Sequence, residues 1–271
     1  MYKIILFVYL CNRLKLFENN VFIMAKLIFG CLSFFILVVG FADTGFTQRF
    51  YKTQSGLTAV CGSTSISLEV YKQDVIRVIK CPAGCVFQKT SLSVTASPDP
   101  AAAFSVQKND KGVLLLTDSL SVQLDLLNGN LLFSDNHAAA LLREVPAPGG
   151  FSPDTGADAG SYKVSQSFAL DSDEVIYGLG EQQNGRLDQR YQVNLLAQQN
   201  MKVAIPFFQS TKGYGIFWDN YSPTLFSDTL GLTTFRSDVA KGIDYYILKG
   251  STTDSMVCQM RYLTGRVPML P

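Results

Sequence analysis

Thr64-Ser-Ile-Ser-Leu-Glu-Val-Tyr71 is the stretch on which the fold turns. It places Ile66, Leu68 and Val70 on one face and polar groups on the other, the period of two of a strand with one face in a core. After a short polar turn, Val75-Ile-Arg-Val-Ile-Lys80 repeats the theme. Similar runs follow at 104–108, 113–117, 122–127 and 131–134. Asn128-Gly-Asn130 joins the last two and predicts a hairpin, because Asn-Gly accepts positive φ angles. Residues 146–160 carry almost no apolar periodicity and read as a loop. Strands resume at 162–170, 175–177, 202–209, 213–218, 233–237 and 243–249. Many short strands with turn signals between them predict an all-β antiparallel sandwich and argue against βαβ units. No internal repeat is evident.

The expected exception is a short C-terminal helix. Ser251 is placed to cap it, with Asp254 three residues on, and Met256, Val257, Met260 and Leu263 form an apolar stripe at helical spacing. Gly265 supplies the stop and Pro268 prevents continuation. The stripe is expected to dock on a neighbouring domain or on the sandwich itself.

The chain has 271 residues, 47% of them hydrophobic and 17% charged, with 19 Phe and 12 Tyr. That composition suffices for a sizeable core. A net charge of +1 without any basic stripe argues against nucleic acid and anionic membranes as partners. At the N-terminus, Lys26 precedes an apolar run from Leu27 to Ala42, and Gly40-Phe-Ala42 fits a small-x-small cleavage site. Residues 1–42 therefore read as a leader and predict export, with Met24 as the expected true start. An uncleaved membrane anchor is the bland alternative. Cys81 and Cys85 fit closure of a small loop and fit two unpaired thiols equally well. Zinc is not expected, because His137 is the only histidine and sits in a turn-like Ser-Asp-Asn-His context. A catalytic triad is equally unsupported, and no cofactor is implied.

The segment richest in chemistry is Val175-Ile-Tyr-Gly-Leu-Gly-Glu-Gln-Gln-Asn184, followed by Ala204-Ile-Pro-Phe-Phe-Gln-Ser-Thr-Lys-Gly-Tyr-Gly-Ile-Phe-Trp-Asp-Asn-Tyr221. Between them, residues 185–200 are rich in amides, with two Arg and one Asp. Planar amides, carboxylates and Arg suit sugar hydroxyls, and aromatic side chains suit the apolar face of a sugar ring. The same composition also suits an ordinary solvated loop. Gly178, Gly180, Gly213 and Gly215 read as backbone permission for turns or close strand approach. Tyr214 and Trp218 read as core or interface aromatics.

These two segments, together with the closing Asp-Tyr-Tyr-Ile and Tyr-Leu-Thr-Gly-Arg-Val-Pro, resemble glycoside hydrolase family 31, most closely its α-xylosidase-like members. The resemblance covers most of the chain from about Gln54 onward. It implies a mutarotase-like β-sandwich at 43–250 and a helix and linker at 251–271, leading to a (β/α)8 barrel that would lie beyond Pro271. It also implies retaining hydrolysis of α-linked saccharides by two barrel aspartates roughly 5 Å apart. No residue of this chain inherits either role, so the chain is expected to be a fragment that is inactive alone. What carries over is the loop after Gly-Leu-Gly-Glu, which in the family helps shape the leaving-group subsite. Gln199 and Asn200 are the leading candidates for saccharide contact, with Gln182, Arg186 and Asp188 behind them. Glu181 is expected to anchor the loop through backbone donors. A free-standing carbohydrate-binding module or adhesin is the competing reading, and the oligomeric state is not legible.

Overall fold

The computed structural model describes residues 49–146 and 150–267. The expected leader, the Met24 start and the Pro-rich exit at 268–271 lie outside the described residues.

Two antiparallel sheets form the body. The eight-stranded sheet runs β1 (Arg49–Lys52), β2 (Gly56–Cys61), β3 (Thr64–Lys72), β4 (Val75–Pro82), β18 (Ile243–Lys249), β15 (Tyr214–Trp218), β14 (Val203–Ser210) and β12 (Ile176–Glu181). The ten-stranded sheet runs β13 (Val193–Leu196), β16 (Thr224–Thr229), β17 (Leu232–Ala240), β11 (Tyr162–Ala169), β9 (Ala140–Val145), β8 (Leu131–Asp135), β7 (Leu120–Leu124), β6 (Gly112–Leu116) and β5 (Ser105–Asn109). The short β10 (Phe151–Pro153) pairs with β11.

Alternation decides what each strand buries. In β3, Ile66, Leu68 and Val70 are buried while Ser65, Ser67 and Glu69 are half-exposed, so the reading of that stretch holds. They join β4 and the buried residues of the opposite sheet, among them Val122, Phe133, Phe168 and Phe235, in one core. Each such aliphatic or aromatic side chain contributes roughly 1.5–3 kcal/mol by leaving water. An aromatic stack occupies the centre: Trp218 lies 5.3 Å from Phe235 and 6.3 Å from Tyr245, with planes inclined by 6° and 12°. The Trp218 indole nitrogen donates to Ser237 Oγ at 2.9 Å, satisfying its one polar group. Tyr214 and Trp218 are thus core residues.

The eight-stranded sheet has a second buried face. Tyr71, Val75, Phe217, Tyr246 and Leu248 point away from the main core and are covered by helix α1 (Thr253–Thr264) through Leu263 and Met260. The helix therefore docks on the sandwich. Its cap differs by one residue from the expectation: Thr252 is the N-cap, and its reciprocal partner is Ser255. Ser251 and Asp254 are displaced because the chain leaves Gly250 extended one residue further. Val257 is 45% exposed and drops out of the buried stripe, whereas Gln259 is buried. Gly265 does end the helix, at φ 88°.

The Asn128-Gly-Asn130 hairpin forms between β7 and β8, with Gly129 at φ 73°. The expected loop at 146–160 is in part a strand, because Phe151–Pro153 pairs along β11 and Phe151 packs edge-on against Tyr162. Strands β1, β2, β9, β13 and β16 were not foreseen. Cys61, Cys81, Cys85 and Cys258 are free thiols.

Candidate functional site

The rim segment begins with a backbone constraint. Gly178 and Gly180 have φ of 126° and 84°, and a Cβ on either would lie 2.5 Å from Phe207 O or 1.9 Å from Val203 O. Between them Leu179 is buried at φ 66°. Across this point β14 carries extra residues, so that Gly178 pairs with Phe208 but Gly180 pairs with Ala204. Pro206 falls inside the bulge, where its missing N–H breaks no ladder bond. The Gly-Leu-Gly motif is thus a bulge device that re-aims the chain at the sheet edge. Of six described non-glycine residues at positive φ, Leu179, Gln183, Tyr191 and Met201 all belong to this one segment. Such conformations cost of order 1–3 kcal/mol each and concentrate where geometry serves a function.

The loop after β12 is pinned from beneath. Arg190 is buried; its Nε donates to Asp228 Oδ2 at 2.7 Å, and its Nη1 donates to the carbonyls of Asp171 and Glu174. Burial works against the Arg190 charge, but the hydrogen bond and charge of Asp228 outweigh it and hold the guanidinium above its usual range. Asp228 also accepts from Tyr191 N and Thr233 Oγ1, so both its oxygens are used. Gln189 accepts from the amides of Asn184 and Asn194 and donates to Arg186 O at 2.7 Å. Arg190 and Asp228 therefore do the anchoring expected of Glu181, whose exposed carboxylate accepts no hydrogen bond among the described residues. Sequence reading missed the pair because 38 residues separate its members.

The candidate contact residues divide. Gln199 and Asn200 are exposed on the turn between β13 and β14, closed by Lys202 N donating to Gln199 O at 3.2 Å. Their side-chain amides are uncommitted among the described residues. Gln182 is buried; its Nε2 donates to Leu179 O at 2.6 Å while its Oε1 has no partner. Asp188 is exposed but spends Oδ1 on Arg190 N at 2.9 Å, and Arg186 is exposed as well. A cavity of about 380 Å³ brings the end of the amide-rich segment to the second motif: Gln198 lines it with Ala204, Pro206, Asn220, Tyr221 and Ser222. Gln198 Oε1 accepts from Ala204 N at 3.1 Å, and the turn bearing Gln199 and Asn200 continues from Gln198. None of the five candidate contact residues, Gln182, Arg186, Asp188, Gln199 and Asn200, is among the residues that line it. Asn220 is half-buried, and its Oδ1 accepts from Ser222 N and Oγ in a closed turn. Among the described residues, no group of three or more His, Cys, Asp or Glu gathers to hold a metal.

Fold and rim together define a galactose mutarotase-like sandwich. Residues 65–226 match the family model of the glycosyl hydrolase 31 N-terminal galactose mutarotase-like domain. The chain belongs to glycoside hydrolase family 31. It is 29% identical over 219 residues to the α-xylosidase of Saccharolobus solfataricus, covering 78% of this chain and 29% of that protein. The crystal structure of a family 31 α-xylosidase from Xanthomonas citri superposes with a TM-score of 0.74 at 19% identity, over 81% of this chain and 41% of that one. A soil-metagenome α-xylosidase solved with xylose superposes with a TM-score of 0.73 at 23% identity, over 82% and 35% of the two chains. The chain thus spans about a third of the length of the relatives it matches.

Proposed function

We propose that this sandwich serves an exported retaining α-glycosidase of α-xylosidase type, lending a saccharide-contacting rim to a reaction centre built by a (β/α)8 barrel. The observation that carries the reading is the cavity lined by Gln198, Asn220 and Tyr221, from which the exposed turn bearing Gln199 and Asn200 continues. Gln199 and Asn200 would hydrogen-bond the leaving-group sugar, while Tyr221 offers it an aromatic surface. Buried Gln182, exposed Arg186 and exposed Asp188 would act one step back, shaping the loop.

Bond cleavage would fall to the barrel. The described carboxylates Asp219 and Asp244 both meet Lys89 at 2.9 Å, and Asp244 is also held by Arg77 at 2.8 Å. Neutralised in this way, they are not a free nucleophile and acid facing a shared sugar. Purified chain should therefore leave an aryl α-xyloside and an aryl α-glucoside intact; turnover at rates above the buffer blank would overturn the assignment. In an α-xylosidase whose own sandwich is exchanged for residues 43–271, Asn200→Ala and Gln199→Ala should raise KM several-fold for a xylosyl-glucose disaccharide. An unchanged KM would remove the rim from substrate contact. Micromolar glycan binding by the chain alone would favour a binding module instead.

A further inference from the structure

A cavity of about 690 Å³ lies on the ten-stranded sheet and shares no lining residue with the rim cavity. Part of its lining is one row across the sheet. Gln123 pairs with Leu132 and Leu132 with Arg143, so the three stand on one face, opposite to buried Val122, Phe133 and Leu142. The β5–β6 hairpin contributes Lys108 and Lys111, and the β7–β8 connection contributes Leu127 and Asn130. Both contributions are held in place. Asn109 Nδ2 donates to Gln123 Oε1 at 2.7 Å, tying the hairpin to β7. Asp125 accepts from Leu127 N at 2.8 Å and from Asn128 Nδ2 at 2.6 Å, and Asn128 Oδ1 accepts from Asn130 N at 2.8 Å. The connection is thus closed by its own side chains before any ligand arrives.

The groups left over are cationic. Arg143, Lys108 and Lys111 are exposed, and none of their side chains has an ion pair or hydrogen bond among the described residues. The side-chain amide of half-buried Asn130 is likewise uncommitted among them. Of the acids that line the cavity, Glu144 is taken up by Lys80 and Tyr245. Asp110 and Asp125 remain, so three cations face two carboxylates and one positive charge is in excess. That balance selects a monoanion. A single carboxylate restores neutrality and fits the planar fork of Arg143, which can give it two parallel hydrogen bonds. A phosphate dianion would exceed the balance and leave most of the volume unfilled. The rest of the cavity suits a sugar: Asn130 and Asp110 can meet hydroxyl groups, and Leu127 and Leu132 offer apolar surface to the C–H face of a ring.

We propose that the cavity framed by Lys108, Lys111, Asn130 and Arg143 is a binding site for a carboxylate-bearing sugar, a uronic acid unit of a glycan. Occupied, it tethers the protein to an acidic polysaccharide without touching the scissile bond. It needs nothing from the rim reading, whose failure would leave it intact.

Amide-resolved NMR titration of the 271-residue chain with three probes tests this: a glucuronic acid–xylose disaccharide, its neutral glucose–xylose counterpart, and inorganic phosphate. The acidic disaccharide should give saturating shifts at Lys111, Leu127, Asn130 and Arg143, and the neutral one should bind there roughly tenfold more weakly, the scale of one charged hydrogen bond. Arg143→Gln should lose the same factor for the acidic sugar, and Arg143→Lys, which keeps the charge without the fork, should recover only part of it. Arg143 is exposed, so neither change should move the melting temperature. Equal binding of the two disaccharides, no shift at the cavity, or unchanged binding by Arg143→Gln would overturn the proposal. Phosphate binding as tightly as the acidic disaccharide would overturn it too, leaving a plain anion site.

Discussion

A methyl group on Gly180 would lie 1.9 Å from the carbonyl oxygen of Val203, and the residue sits at φ 84°. Both clash and backbone strain oppose any side chain, so Gly180→Ala should cost at least about 2 kcal/mol in urea unfolding. Gly62, at φ 59° but with open space around it, should lose only about 1 kcal/mol on the same change. The requirement for glycine was legible in the Gly-Leu-Gly spelling; the bulge that makes it necessary was not. Buried thiols give a second test. Burial, then neighbouring Cys85, pushes the Cys81 thiol up from 9.0 to about 11. A raised acid favours the folded state while protonated, so its contribution is intact below pH 9 and is lost as pH climbs towards 11. Buried Tyr214 and Tyr245 are raised by burial, and then by the adjacent Glu174 and Glu144, so they add to the same alkaline loss. The melting temperature should hold to pH 9 and fall beyond it, and Cys81→Ala should flatten part of that slope relative to its own pH 8 value.

Helix α1 shows what an element owes to sequence and what to packing. Its existence, its stop at Gly265 and most of its apolar stripe were readable from spacing. Its cap was not, because Ser251 and Thr252 are equally suited and the exit from β18 chooses between them. Thr252→Ala should cost about 1 kcal/mol, whereas Ser251→Ala should cost little. Leu263 is fully buried against the outer face of the sheet, and Leu263→Ala should cost about 2–5 kcal/mol. Thermal unfolding followed by circular dichroism separates the three. Strand β13 illustrates the opposite case. Val193-Asn-Leu-Leu196 lies in amide-rich sequence and reads as loop, but it pairs with β16 through Leu195↔Leu225 and its neighbours. Only a partner strand makes it a strand.

At the scale of the molecule, the two sheets are joined by a polar staple as well as by oil. Lys80 Nζ, from the eight-stranded sheet, meets Glu144 Oε2 of the other sheet at 2.6 Å. It also donates to Gly129 O at 3.1 Å and Gln166 Oε1 at 3.2 Å, while Tyr245 donates to Glu144 Oε1 at 2.7 Å. Both ions are buried, so removing one strands the other. Lys80→Met should cost about 3–5 kcal/mol, and adding Glu144→Leu should recover much of the loss. A double-mutant cycle in chemical denaturation measures the coupling; purely additive losses would remove the staple's cooperative role.

The period-two pattern, the turn spelling and the glycine motif were sufficient to determine an antiparallel sandwich with a closing helix, since these depend on neighbours within a few residues. The resemblance carried by three ordered motifs determined the family. Tertiary structure alone decided that Arg190 and Asp228 anchor the rim, that Lys80 pairs with Glu144, and that Lys89 pairs with Asp219 and Asp244. Each joins residues far apart along the chain, and an ion's partner is set by distance in space, which no local pattern encodes.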